Sequence, residues 1–309
     1  MSIIRASSKK IIINDLINSK RLIKKGVTKI LFDQPYHLYL DDVQSQAYIN
    51  MIDAENFSTL LHEPTLNLIN KYKEKILSGF KGRLSFFDLG PGLPTKTIPL
   101  LKQLQINKID FDYYPVDISQ NFLKITEKEI SNFGITCNSI NSYFEDLPNN
   151  PILDTSDEKL FFIGLTFNNY RPDKILSMLK KMAGKKGTCL IITEYFKKKN
   201  IETILIPYKD KYAEHFNYLS LHLAGIKKER LQYFTEFRNQ RIEMGFKALE
   251  KLVITKDLII EKDTEIITAI SYRFSKDTLI KHINRYFLCF EFYEHNEKEI
   301  SLVAFKFSN

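Results

Sequence analysis

The chain has 309 residues, 44% of them hydrophobic and 27% charged, with a net charge of +8. That is enough apolar material for one large domain or two ordinary ones, and it excludes disordered and collagen-like chains. No run approaches the ~20 apolar residues of a membrane helix, and the start, MSIIRASSKKIIIND, lacks the continuous apolar stretch of a secretory signal. The basic residues are mostly lysines spread along the chain. Their densest clusters, at 185–186 and 197–199, read as a turn and a loop, so a solvated surface is favoured over a nucleic-acid face. Cys137, Cys189 and Cys289 are odd in number and lie in apolar, strand-like stretches. They read as buried, reduced thiols of a cytoplasmic protein. The six histidines form no HxxxH or HExxH pair, so no metal site is expected.

In chain order, the pattern predicts a helix over 11–22 and a second over 62–80, closed by Gly79 and Gly82. Strand and helix then alternate. Strands are predicted at 84–90, 109–117, 135–140, 160–165 and 188–193, with helices at 95–104, 119–133 and 172–182 between them. This spacing argues for a parallel sheet covered by helices on both faces. Residues 197–260 break the alternation and read as largely helical, with long pieces at 212–226 and 228–248. Strands at 252–255 and 265–271 follow, then a helix from an N-cap at Ser275 to 284. Two strands, 286–293 and 300–307, close the chain as an antiparallel hairpin.

Three segments carry the residue types of a ligand site. FDLGPGLPTKT at 87–97 ends a strand, turns at Gly90-Pro91-Gly92 and starts a helix. Glycines there permit tight turns and close ligand approach, and Asp88 stands where it could meet a cationic group. It is not a dinucleotide fingerprint, because the third glycine of GxGxxG falls on Thr95. YYPVDIS at 113–119 puts Asp117 at the tip of the next strand, placed to accept both hydroxyls of a ribose or to cap the following helix; ribose binding ranks first. LFFIGLTFNNY at 160–170 ends an apolar strand in two adjacent amides, Asn168 and Asn169. An amide both donates and accepts, which suits an amine or zwitterion, although a plain Asn turn is the common alternative.

These three motifs, in this order, resemble the histidine-specific, S-adenosyl-L-methionine-dependent methyltransferase family. Its members carry L-G-S-G-x-S-x-K-T, then Y-x-P-V-D-[IV]-S, then F-x-G-S-x-x-G-N. The resemblance is specific at Gly90, Gly92, Lys96 and Thr97, and again at Tyr114, Val116, Asp117 and Ser119. It implies an α/β fold: a Rossmann-like, seven-stranded class I methyltransferase sheet with a terminal antiparallel hairpin, plus a smaller, mainly helical substrate-binding domain. The cofactor domain would comprise 61–196 and 275–309, the substrate domain 1–60 and 197–274. It further implies that Asp88, Gly90, Gly92, Lys96, Asp117 and Phe144 hold the cofactor. Asn169 would hold the amino-acid end of the substrate, helped by Tyr208, or by its rival Tyr212, and by Ser271.

The chain departs from the family pattern at the side-chain pocket. The glutamate of E-V-S-x-K-F, which accepts the imidazole N–H, is Ala269 here. In FSTLLHE at 57–63, Phe57 replaces a tyrosine and Leu61 an arginine. Phe144 follows Tyr143 where the family has aspartate. The implied activity is N-methylation of a small amino acid or amino-acid-derived amine other than free histidine, with no membrane or nucleic-acid partner. The alternatives are a cofactor-binding relative without turnover and a methyltransferase acting on nucleic acid or protein.

Overall fold

The computed structural model of the chain describes residues 2–24, 26–32, 35–154, 157–184, 187–195, 201–287 and 289–306. The lysine clusters at 185–186 and 197–199 fall outside them. The chain divides into two compact units: Met1–Ser58 with Lys198–Tyr272, and Thr59–Lys197 with Arg273–Asn309.

Helix α1 (Ser2–Asn18) comes first, then the hairpin β1 (Lys20–Lys24) and β2 (Val27–Leu31). The predicted helix over 11–22 therefore ends early, and its last residues are strand. Helix α2 (Asp42–Asp53) starts at Asp41, whose carboxylate accepts the Gln44 amide at 2.8 Å; α3 (Glu55–Phe57) follows. A π-helical turn, Ser58–His62, precedes α4 (Glu63–Leu77). Next come β3 (Leu84–Leu89), α5 (Ile98–Ile106), β4 (Phe111–Asp117), α6 (Gln120–Ser131), β5 (Ile140–Asn141), β6 (Glu158–Ile163), α7 (Pro172–Ala183) and β7 (Gly187–Glu194). The insert holds α8 (Ile201–Leu205), α9 (Lys211–Leu223) and strands β8 (Leu231–Arg238), β9 (Arg241–Ala248), β10 (Leu252–Thr255), β11 (Leu258–Ile260) and β12 (Glu265–Tyr272). Helix α10 (Lys276–Ile283), capped by Ser275 as predicted, leads to β13 (Cys289–Glu294) and β14 (Ile300–Lys306).

The second unit carries a seven-stranded sheet in the order β13-β14-β7-β6-β3-β4-β5. Strands β3 to β7 run parallel, and β14 is antiparallel to both its neighbours. This is the Rossmann-like sheet with a terminal hairpin. Every residue of β3 is buried, as a central strand covered on both faces requires. Phe87 on β3 stacks on Tyr114 at 4.8 Å and Phe161 at 5.0 Å, which fixes the register of three strands. The strand order progresses one way from β3 to β4 and the other way to β6. The crossovers leave β3 in opposite directions, and a crevice opens at its carboxyl end. The predicted strand at 135–140 is reduced to a bridge between Tyr113 and Cys137 and the two-residue β5. Cys189 is buried, but Cys137 is half-buried and Cys289 exposed, because Cys289 lies on the edge strand β13.

The first unit corrects the expectation of a mainly helical domain. It is built on a five-stranded sheet, β1-β2-β12-β9-β8, with α1 and α9 supplying Ile12, Leu16 and Leu221 to a core shared with Phe246 and Ile266. The predicted helix over 228–248 is the β8–β9 hairpin. Its two-residue turn is Asn239-Gln240, with φ of 51° and 60°. That left-handed pair makes the tight hairpin turn usually signalled by glycine. Gly245 marks the strand instead: a Cβ there would lie 2.1 Å from the Ile266 carbonyl oxygen, beside a bulge in β12.

No helix among the described residues is long and apolar enough to cross a membrane. In the second unit the buried Arg273 donates through Nη2 to Glu194 Oε2 at the end of β7. Burial raises the Glu194 pKa, and Arg273 pulls against that rise. Removing one member of a buried pair strands the other. Arg273→Ala is therefore expected to cost about 3–5 kcal/mol of stability, read as a lower urea midpoint at unchanged slope.

Candidate active site

The candidate site of the second unit forms where β3, β4 and β6 end. After β3 the chain turns through Gly90 and Gly92, at φ of 73° and 56°, into a short 3-10 turn, Pro94–Lys96, and then α5. The left-handed φ values explain both glycines. A Cβ on Gly90 would come 3.1 Å from Phe144 Cζ and 3.4 Å from Thr166 Oγ1. Phe144 and the turn after β6 thus close on the glycine loop. Beneath the loop lies Asp88, 1% exposed, whose Oδ2 accepts from Thr97 Oγ1 at 2.5 Å and Tyr113 Oη at 2.9 Å. Burial raises the Asp88 pKa to about 6, against these two donors. Thr97 is the N-cap of α5 but spends its hydroxyl on Asp88 rather than on the helix.

Asp117 ends β4 and is buried. Burial pushes its pKa up to about 7, while backbone N–H groups of Ser119, Gly92 and Ile118 pull it down. The Ser119 amide donates to Asp117 Oδ1 at 2.8 Å, and Ser119 itself caps α6. Asp117 is therefore free of the capping role open to it in the sequence. Lys96 is half-buried, and burial lowers its pKa to about 8 against the pull of Asp88. Past β6, the 3-10 turn Leu165–Asn169 presents Asn168, 2% exposed, and Asn169, half-buried. Asp88, Gly90, Gly92, Lys96, Asp117, Phe144 and Asn169 all belong to this carboxyl edge.

Sequence reasoning missed His62. It sits in the π-helical turn, a feature often found at functional sites. Its Nε2 lies 3.5 Å from Thr95 Oγ1, at the outer limit of a hydrogen bond, and its Nδ1 is buried with no partner among the described residues. Burial, then the charge of Lys96, lowers its pKa to about 4. The only sequence signal was a histidine in FSTLLHE. Elsewhere in this unit a groove of about 740 Å³ opens beside Lys75, Cys289, Phe290 and Tyr293. It lies toward the amino end of β7, away from the carboxyl edge.

The remaining two predicted residues lie on the first unit, together on one face of its sheet. Ser271 pairs with Ile242 and Ala269 with Met244, so all four project the same way. On that face Tyr233 and Thr235 donate their hydroxyls to the Tyr208 carbonyl at 2.7 and 3.0 Å. Phe57 meets the Tyr208 ring edge-on at 6.2 Å. Tyr208 is 8% exposed, whereas Tyr212 is 39% exposed and borders the helix start. The opposite face holds the carboxylates. Glu243 takes Arg241 at 2.6 Å and Lys29 at 3.3 Å; Glu265 takes Lys29 at 2.9 Å and Arg238 at 2.6 Å. Among the described residues no three His, Cys, Asp or Glu gather as metal ligands.

The sheet order, the glycine loop and the acid at the tip of the second parallel strand define a class I methyltransferase. The model of the histidine-specific, SAM-dependent methyltransferase family matches residues 21–306, and the chain belongs to that family. No curated protein sequence matches it. Similar solved structures include an S-adenosylmethionine-dependent methyltransferase from Clostridium acetobutylicum, 12% identical, with TM-score 0.46 over 85% of this chain and 99% of that one. A second is the PH0226 protein from Pyrococcus horikoshii, 10% identical, with TM-score 0.47 over 84% and 98%. A third is the plantazolicin methyltransferase BpumL in complex with a monoazolic desmethylPZN analog and SAH, 14% identical, with TM-score 0.44 over 99% and 100%.

The electrostatics of the loop can be tested directly. By NMR titration His62 should stay neutral down to about pH 4. Removing the neighbouring charge with Lys96→Met should move its pKa upward, toward but not reaching the usual 6.5, because burial remains.

Proposed function

We propose that this methyltransferase acts on the amine nitrogen of a small amino acid or amino-acid-derived amine other than histidine. The observation that carries the reading is strand β12. Ala269 stands beside Ser271 on the face that holds Tyr208, and the sheet's carboxylates, Glu236, Glu243 and Glu265, are on the other face and bound to cations. An imidazole N–H brought to that face meets no carboxylate of the sheet. A buried donor without an acceptor costs about 1–3 kcal/mol, or roughly 5- to 150-fold in affinity.

S-adenosylmethionine, when bound, supplies a methyl group on a positively charged sulfur. The residues of the second unit fit its binding: the left-handed Gly90 and Gly92 allow close approach, and the buried Asp117 offers a carboxylate to paired hydroxyls. Phe144 offers an apolar face, and Asp88 acts by holding the loop. Lys96 adds a cation at the loop's far side. Asn169 would orient the amine end of the substrate. Methyl transfer needs the amine unprotonated and aligned with the departing sulfur, so the protein's contribution is mainly orientation.

Two outcomes are expected. S-adenosylhomocysteine affinity, measured by calorimetry, should rise with pH up to about 7 and then level off. A carboxylate whose free pKa is about 7 must lose its proton to accept two hydroxyls. Asp117→Asn should remove that dependence and weaken binding by roughly 1.5–3 kcal/mol. In steady-state assays histidine should be a poor substrate beside aromatic and aliphatic amino acids and amines, and Ala269→Glu should improve it. Efficient wild-type turnover of histidine would refute this reading, as would salt-sensitive methylation of RNA in place of any amine.

A further inference from the structure

Phe144 closes on the glycine loop, its Cζ 3.1 Å from the point a Gly90 Cβ would reach. Yet it belongs to no helix or strand. It sits in the turn between β5 and the 3-10 turn Leu147–Asn149, where the Asp146 amide donates to the Tyr143 carbonyl at 3.2 Å. Connecting segments are mobile unless packing from elsewhere holds their side chains. Phe144 is 9% exposed, so it is held.

Behind Phe144 stands Tyr170. The two rings lie 6.1 Å apart at 41°, within the range of favourable aromatic pairs. Both belong to the core that α7 covers, and Tyr170 is 8% exposed. Tyr170 is itself fixed. It ends the turn after β6, where its amide donates to the Phe167 carbonyl at 3.4 Å, and α7 starts two residues later. Lys174, in the first turn of α7, places Nζ 5.9 Å from the centre of the Tyr170 ring and pairs with Glu145 at 3.1 Å. Glu145 follows Phe144 in the chain. A ring pair and an ion pair therefore tie the same turn to the start of α7. The ion pair is half-exposed and contributes little, so the rings carry the contact. Burial raises the Tyr170 pKa, and the charges of Glu145 and Asp117 raise it further. The hydroxyl thus lies within electrostatic reach of the acid at the tip of β4. A leucine at 170 would fill the volume, but it would offer no ring to Phe144 or Lys174.

We propose that Tyr170 is a positioning residue for the cofactor: its ring holds Phe144 against the glycine loop and so sets the affinity for S-adenosylmethionine. This inference rests on the proposed use of Phe144 as an apolar face for the cofactor. It adds a residue that stands just past the last position of the family's third motif.

The experiment measures S-adenosylhomocysteine affinity by calorimetry, with thermal stability alongside, for the wild-type protein, Tyr170→Phe, Tyr170→Leu, Phe144→Leu and the double variant Phe144→Leu/Tyr170→Leu. Tyr170→Leu is expected to weaken binding by about 3- to 10-fold, the size of a lost aromatic pair. Tyr170→Phe keeps the ring and should bind within about twofold of the wild type. In the Phe144→Leu background, Tyr170→Leu should change affinity by less than about twofold. A residue that acts through Phe144 then has nothing left to position. Tyr170→Met, whose flexible side chain fills irregular gaps, serves if Tyr170→Leu does not fold. Wild-type affinity in folded Tyr170→Leu would overturn the inference. Additive losses in the double variant would also overturn it, because they make the two residues independent. Both results leave the proposed role of Phe144 standing. Full affinity in Phe144→Leu would overturn that role and the inference with it.

Discussion

The candidate site depends on one buried carboxylate. Asp88 ends the central strand of the second unit, and its Oδ2 ties the start of α5, through Thr97, to β4, through Tyr113. Without that tie the glycine turn would have no floor. The backbone bond from the Gly90 amide to the Val116 carbonyl, at 2.9 Å, would then hold only the first glycine of the turn. Burial of an acid is costly, and its pKa near 6 records that cost. Two hydroxyl donors offset part of it and leave the loop in one conformation. A preorganised loop loses less conformational freedom on binding, which is where affinity for a small ligand is gained.

Asp117 repeats the arrangement with backbone donors in place of side chains. The Ser119 amide donates to it at 2.8 Å, and the backbone amides of Gly92 and Ile118 also favour its charged form, so the second glycine of the turn and the acid at the tip of β4 are electrostatically linked. A substitution at either place would disturb the other. The same region carries His62 and Lys96, both driven toward their neutral forms by burial. The site gathers titratable groups whose charge is disfavoured, which is the usual signature of a functional pocket.

The first unit handles polar groups differently. Its sheet segregates them, with Glu236, Glu243, Glu265, Lys29, Arg238 and Arg241 as a mutually neutralising network on one face. The other face keeps hydroxyls, a small Ala269 and the apolar Ile242 and Met244 beside Tyr208. On that second face the Tyr233 and Thr235 hydroxyls are spent on the Tyr208 carbonyl, and no sheet carboxylate is present. This separation follows from strand alternation, since neighbours along β9 point to opposite sides.

The sequence by itself determined the second unit. Its strands are short apolar runs between glycine and polar turns, its helices carry local caps such as Ser119 and Ser275, and its candidate binding residues sit next to each other in the motifs. All of that is local chemistry, legible within a dozen residues. Only the tertiary structure decided the first unit. Residues 228–248 carry mixed charge and a hairpin turn without glycine, so their strand identity comes from pairing with β12 and from the close approach at Gly245. Tyr208 and Tyr212 are equivalent in sequence and are separated by burial alone. His62 and Tyr170 were single letters in the chain. What sets them apart is a neighbour brought in by folding: the Gly90–Thr97 loop against one, Phe144 from a separate turn against the other. Neither burial nor an unmet hydrogen bond can be read before the chain has folded around the residue that bears it.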